Sequence, residues 1–327
     1  MSTCATQQEL DRLATFNFLI SQIIDFSAGI LTFITSIFAI KMVLHKSIFE
    51  NSTKILLLLN LFYALLYQVI YGIEAITIVY KHLKMQDRPC ELLKSEQFCA
   101  PFLKALLGSA SGMILCQTGL ILERVFATFC ANYEKKKSFI IGSITALVIF
   151  IISTQTGRIV YWDDPLSGAV LACFVFPKQS GQRSLWYFIG CTGITMANLV
   201  MAVALKRYNK KLEYQIRFKI AARFHKREVI ESTGTICFIT FCQFILFFIY
   251  SVGISVMKSI RALIPAETYY FWTVWFYTIP FVAMLYPMLL IYRIRSTRAK
   301  RVQKIIGIST KKITQEEHIN QIKTMWK

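Results

Sequence analysis

The 327-residue chain is 55% hydrophobic, 14% aromatic and only 17% charged, yet its formal net charge is +19. A soluble domain of this length is seldom so apolar, and a nucleic-acid-binding protein would spread its basic residues over a soluble fold. Here Lys and Arg gather between long apolar runs, the pattern of a membrane protein that holds its positive charge on one side.

Seven runs reach the roughly 20 residues that a helix needs to span a bilayer core. They predict an all-α integral membrane protein, a seven-transmembrane helix bundle with spans at about 18–43, 55–80, 102–130, 138–159, 184–206, 232–257 and 269–292. Residues 1–17 precede the bundle and 293–327 form a basic tail. Barrel strands would need only about 10 alternating residues each. The first run is too long for the apolar part of a signal peptide and is expected to stay in the protein as an anchor. It contains Asp25. With the N-terminus outside, cytoplasmic segments hold 24 Lys and Arg and outer segments 9. The positive-inside rule therefore predicts N-terminus out and C-terminus cytoplasmic. One feature opposes this: Asn51-Ser52-Thr53, in the first cytoplasmic loop, is an N-glycosylation sequon. Such triplets are frequent by chance, but an inverted topology would make this one usable.

The second span carries Tyr67, Tyr71 and Glu74 toward its outer end. The third carries Lys104 near its outer end, then Gly108, Ser109, Ala110, Ser111 and Gly112, a small-residue patch suited to close helix packing. At its inner end stand Glu123 and Arg124. Charges in or at the edge of an apolar segment are costly and usually functional. Glu123 and groups on a neighbouring helix can hold Arg124 at rest, and helix separation would release it toward a cytoplasmic partner. The competing reading is a boundary pair that only fixes helix depth.

Cys99 lies at the outer mouth of the third span and Cys173 in the loop between the fourth and fifth. A bridge between them would form on the oxidising side and tie that loop to the third helix. Cys4 and Cys90 are also outside, so Cys99 paired with either of them, or free, remains an alternative. Rhodopsin-like G-protein-coupled receptors carry such a bridge with an acid–Arg pair in the same relation to it, and that resemblance favours Cys99–Cys173. Cys116, Cys191, Cys237 and Cys242 fall within spans and Cys130 at a cytoplasmic end, where they suit small apolar fillers. No CxxC pair, HExxH, P-loop or GxGxxG occurs, and the four histidines are scattered. No metal, cofactor or catalytic activity is expected.

Gln155 and Arg158 lie near the outer end of the fourth span. Trp186 and Tyr187 open the fifth, Tyr250 lies late in the sixth, and Tyr269, Tyr270, Trp272 and Trp275 open the seventh. By depth, Tyr71, Glu74, Lys104, Arg158, Trp186, Tyr250, Tyr270 and Trp272 are the candidate pocket residues for a small-molecule cue. An aromatic belt, snorkelling and ion pairs compete with that reading.

The third cytoplasmic segment reads KRYNKKLEYQIRFKIAARFHKREVIEST. Leu212, Ile216, Ile220 and Phe224 recur every four residues, which predicts helices extending from the fifth and sixth spans. Its basic faces, with Arg217, Lys219, Arg223, Lys226 and Arg227, form the candidate G-protein surface; a grip on anionic lipid is the competing use. After Tyr292, Ala299, Val302, Ile305 and Ile306 share one face opposite basic residues. They predict a short amphipathic helix on the inner membrane surface. No cysteine follows Cys242, so a palmitoylated tail is excluded.

The runs LERVFATF, RFKIAARFHKREVIEST and ICFITFCQFILFFIYSVG resemble the nematode serpentine receptor class alpha chemoreceptors, with class alpha-beta the neighbouring family. The resemblance covers nearly the whole chain and is most specific over residues 208–253. It implies a divergent rhodopsin-like chemosensory receptor of the plasma membrane, delivered to cilia of sensory neurons. Such a receptor binds an external small molecule and activates a heterotrimeric G protein. Membrane lipids and a receptor oligomer are further partners, and nucleic acid is not one.

Departures from better-known rhodopsin-like receptors bear on mechanism. The second span lacks an acidic residue at its centre, the sixth has neither Trp nor Pro, and the fourth has no Trp. Tyr286-Pro287 and Tyr292 stand where an Asn-Pro and a nearer Tyr are usual. A sodium site and a sixth-helix toggle are therefore in doubt. Pro280 and Pro287 can still kink the seventh span, because each removes a backbone donor. The alternative function is a seven-span ligand-gated channel subunit with its N-terminus inside, which explains the sequon but not the charge bias. A transporter would want internal repeats and broken helices at mid-membrane.

Overall fold

In the computed structural model the described residues are 4–7, 10, 13, 15–45, 49–84, 88–129, 135–177, 179–215, 220–310, 319 and 324. They form α1 (Phe16–His45), α2 (Asn51–Lys84), β1 (Lys94–Ser95), α3 (Glu96–Phe129), α4 (Lys135–Val160), β2 (Ala169–Val170), α5 (Gly181–Gln215), α6 (Ile220–Ile260), α7 (Ala266–Phe276) and α8 (Ile279–Thr310). Seven stretches are long and apolar enough to cross a membrane, with α7 and the first part of α8 counted together. The protein is a seven-helix transmembrane bundle.

The third helix is its axis. In its most apolar window 78% of residues are buried, against 22% for α4, which identifies α3 as the central helix and α4 as a peripheral one. The sequence explains the difference. Gly108, Ser109, Ala110, Ser111 and Gly112 are all buried, and small side chains let neighbouring backbones approach closely, the main source of helix packing in lipid. A Cβ on Gly108 would stand 2.9 Å from the carbonyl oxygen of Ser153 on α4. One on Gly157 of α4 would stand 2.7 Å from the Cα of Lys104. The outward face of α4, with Ile144, Leu147, Ile151 and Ile152, is exposed and apolar, as a lipid-facing surface must be. Helices α5 and α6 pack along each other and share hydroxyls: Thr192 and Ser251 meet at 2.6 Å, and Ser251 Oγ donates to the Phe188 carbonyl at 3.1 Å.

Helix α5 has 35 residues and α6 has 41. At 1.5 Å per residue both exceed the roughly 30 Å apolar core. They extend beyond it at the same end, with the four-residue repeat of Leu212, Ile216, Ile220 and Phe224 at their junction; Ile216 itself lies outside the described residues.

Two features differ from the sequence expectation. The seventh span is not one helix: α7 ends at Phe276, Tyr277 adopts φ −76° and ψ 74°, and α8 begins at Ile279. Pro280 has no N–H to continue the ladder backwards. The break is pinned from both sides: Thr278 Oγ1 donates to the Leu246 carbonyl of α6 at 2.6 Å, and Gln68 Nε2 of α2 donates to the Pro280 carbonyl at 2.5 Å. The second difference is in the tail. The amphipathic segment is helical, but α8 continues through Tyr292 to Thr310 instead of restarting as a short separate helix. No Gly or Pro lies between Pro287 and Gly307 to interrupt it. Arg301 on this extension pairs with Glu231 of α6 at 2.5 Å.

A cap closes the end where α2 finishes and α3 starts. β1 and β2 pair antiparallel, Lys94 opposite Val170 and Ser95 opposite Ala169. Disulfides join Cys99 to Cys173 and Cys4 to Cys90. Leu13, Phe18, Ile78, Leu92, Leu171 and Ala172 form a small apolar cluster under this cap.

Replacing Gly157 by Val is expected to lower the unfolding temperature of the purified protein in detergent, because overpacking of this kind costs about 1–3 kcal/mol. Gly193→Ala, where a Cβ meets open space, should not lower it.

Candidate functional site

Two polar centres lie toward opposite ends of the bundle. The first is built where α3 ends and α2 begins. Arg124 and Glu123 are each 2% exposed. Arg124 donates from Nε to Glu123 Oε2 and from Nη2 to Glu123 Oε1, both at 2.5 Å. Its Nη2 also donates to Thr53 Oγ1 at 2.7 Å and lies 3.6 Å from Glu50 Oε2. Glu123 in turn accepts from Ser52 Oγ at 2.7 Å and Thr53 Oγ1 at 3.2 Å. These hydroxyls sit in the first turn of α2, where the unpaired N–H groups of the helix also favour a nearby carboxylate. A third helix joins the network: Thr128 Oγ1 donates to the Arg124 carbonyl and accepts from Asn209 Nδ2 of α5 at 2.9 Å.

This geometry explains Asn51-Ser52-Thr53. Asn51 is exposed, but Ser52 and Thr53 are buried and satisfy Glu123. The two hydroxyl residues of the triplet open an apolar helix against a buried ion pair.

The basic surface is only partly described. Arg217 and Lys219 lie outside the described residues. Arg223 and Lys226 belong to α6, and their side chains are outside the description. Arg227 pairs with Glu213 of α5 at 3.4 Å and so clips α5 to α6.

The second centre is a cavity of about 290 Å³ near the cap. Phe18, Gln22 and Asp25 reach it from one face of α1, at the helical spacing i, i+4, i+7. Tyr71 enters from α2, Tyr250 and Ile254 from α6, and Tyr270 and Thr273 from α7. The break after α7 turns Tyr277 into it, and the Cys173 loop covers it with Phe174, Val175 and Phe176. The rings are in contact: Tyr71 stacks on Tyr277 at 5.5 Å, Phe174 lies 5.1 Å from Tyr71, and Tyr250 meets Tyr277 edge-on at 5.6 Å. Tyr71 donates to Asp25 Oδ2 at 3.3 Å, and the hydroxyls of Tyr67 and Tyr277 meet at 2.8 Å.

Of the residues expected in a pocket, Tyr71, Tyr250 and Tyr270 line this cavity and five others do not. Glu74 is buried, but it holds the cap: it accepts from the Cys173 N–H at 3.0 Å and pairs with Lys94 at 3.0 Å. Lys81, two turns further along α2, completes the anchor by donating to the Leu92 and Leu171 carbonyls. Lys104 and Arg158 are on the outside of the bundle. Arg158 bonds within its own helix to Gln155. Trp186 and Trp272 are 64% and 47% exposed, the positions of an interfacial belt. Depth along a span was the criterion for these five, and depth does not say which face of a helix turns inward. Asp25, a candidate as a polar residue within a span, also lines the cavity, as do Gln22, Phe174 and Tyr277, which the sequence does not single out. For α1 the signal was present in the 18, 22, 25 spacing; for Phe174 and Tyr277 it was not, because a loop and a helix break place them.

A family model described as "Serpentine type 7TM GPCR chemoreceptor Sra" matches residues 1–326. Serpentine receptor class alpha-8 of Caenorhabditis elegans is 57% identical over 324 residues, covering 99% of this chain and 98% of the relative. Serpentine receptor class alpha-6 of the same organism is 50% identical over 324 residues, again 99% of this chain and 98% of the relative.

Thr53 both donates to Glu123 and accepts from Arg124. Thr53→Val should therefore cost about 1–3 kcal/mol, the penalty of stranding buried polar groups, read as a lower unfolding temperature. Asn51→Gln, at an exposed position, should change neither the unfolding temperature nor the electrophoretic mobility.

Proposed function

The chain belongs to the Sra family of serpentine seven-span chemoreceptors, and from that premise we propose that it binds an external small molecule in the cavity beside Asp25 and activates a heterotrimeric G protein. The N-terminus lies outside and the tail is cytoplasmic. Two observations support this orientation: the 24 to 9 distribution of Lys and Arg, and two disulfides at the cavity end, which need an oxidising compartment. The receptor acts in the plasma membrane of chemosensory neurons and is delivered to their cilia.

The observation that carries the reading is the state of Arg124. Its donors are occupied by Glu123 and Thr53 at the end of the bundle opposite the cavity. The same helix α2 supplies Thr53 to that lock and Tyr71 to the cavity, 18 residues away, or about 27 Å along the axis. A ligand shifts the balance between two arrangements only through its different affinity for each. Ligand seated against Tyr71, Tyr250 and Tyr277 favours an arrangement in which α2, α5 and α6 separate at the far end. Arg124 is then released, and it engages the G protein together with the basic ends of α5 and α6. In the resting state those basic ends also grip anionic lipid.

Arg124→Ala at matched surface expression should reduce ligand-driven nucleotide exchange at least about tenfold, a coupling of ordinary allosteric size. Unchanged exchange overturns the mechanism. A C-terminal tag should be reached by antibody only after permeabilisation; a tag exposed on intact cells overturns the orientation, and with it G-protein coupling.

A further inference from the structure

We propose that the cavity recognises a compact organic cation, an alkyl- or arylammonium group, with Asp25 as its counter-ion and the rings of Tyr71, Tyr250, Tyr277 and Phe174 as its walls. The proposal rests on the reading of this cavity as the ligand site and specifies its chemistry.

Three features point to a cation. The first is an unpaired acid. Asp25 is 7% exposed and lies within a span, where a carboxylate needs a partner. Glu123 has Arg124 and Glu74 has Lys94, while Glu96, at the start of α3, accepts from the Gly168 N–H at 2.9 Å. Among the described residues no Lys, Arg or His forms an ion pair with Asp25. Its hydrogen bond from Tyr71 is long, at 3.3 Å. The second feature is the wall beside it. Aromatic faces carry a negative quadrupole and attract ammonium groups, most strongly when water is excluded. Tyr71, Tyr277, Phe174 and Tyr250 form a contiguous set of rings around the cavity that contains Asp25. The third is size. At about 290 Å³ the space is at the lower limit of small-molecule sites, which suits a compact ligand. The other charged lining residue, Arg261, is exposed and lies over the Tyr269 ring at 5.4 Å. It forms no ion pair with Asp25 within 4 Å.

The test is ligand-dependent thermal stability of the purified full-length protein in detergent. The probes are choline, benzylammonium and phenethylammonium, with benzyl alcohol and phenethyl alcohol as neutral matches. Ammonium probes should raise the unfolding temperature and their neutral matches should not. Asp25→Asn should weaken ammonium binding about tenfold or more, while Asp25→Glu keeps part of it; ligand-free unfolding temperatures show whether each variant is folded. Tyr250→Ala should also weaken the ammonium probes. Equal stabilisation by neutral probes, unaffected by Asp25→Asn but lost in Tyr250→Ala, overturns the cation and leaves the cavity as the ligand site. Stabilisation that survives Tyr250→Ala overturns the site itself. No stabilisation by any ammonium probe overturns the cation, while the exchange assay on Arg124 still decides the receptor mechanism by itself.

Discussion

A guanidinium carried into a helix bundle has no water to fall back on, so every donor it keeps must be met by the protein. Arg124 meets that demand with the neighbouring carboxylate of Glu123 and a hydroxyl from the next helix. Glu123 needs hydrogen-bond donors of its own, and the first turn of α2 provides them in the Ser52 and Thr53 hydroxyls. The requirement therefore fixes where α2 starts against α3. A buried pair of this kind is weak evidence for stability as such, but it specifies one arrangement over others. Once α2 is registered at that end, its straight run of 34 residues delivers Tyr67, Tyr71, Glu74 and Lys81 to defined places near the other.

The cavity end uses those placements. Glu74 and Lys81 are charged residues in an apolar helix, and their partners are cap groups: a backbone N–H, two carbonyls and Lys94. They hold down the same loop that the Cys99–Cys173 bridge ties to α3. Phe174 to Phe176 are thereby held over the space between α1, α6 and α7. The break at Tyr277 adds the remaining wall. Bonded through Thr278 to α6 and through the Pro280 carbonyl to Gln68 of α2, it is positioned by contacts with two other helices. The cavity and the Glu123–Arg124 pair are thus joined through one helix, α2, which contributes to both.

The polar residues of the spans divide by role. Glu123, Arg124, Ser52, Thr53 and Asn209 close one end; Glu74, Lys81 and Lys94 close the other. Asp25 is in neither group. A charge that the fold does not itself consume is the natural place for a ligand to contribute.

Much of the architecture was legible in the chain. Seven apolar runs separated by basic segments set the helix count, because a bilayer imposes a length on each span. The Glu123-Arg124 pair stood out because charges are rare there. The small residues of α3 marked a place of close helix packing, and the burial of the helix shows it to be the central one. Other features could not be read this way. Depth along a span is legible, but rotation about its axis is set by neighbours, so Lys104, Arg158, Trp186 and Trp272 turn outward while Asp25 turns in. The bonds of Ser52 and Thr53 to Glu123 show only once the third helix stands beside them. Pro280 marks a place where the seventh span can kink, but the bonds from α2 and α6 that pin the break are long-range. Sequence determined what must be buried in lipid and what must be paired; tertiary structure decided which faces meet, because packing of one helix against another is a long-range choice.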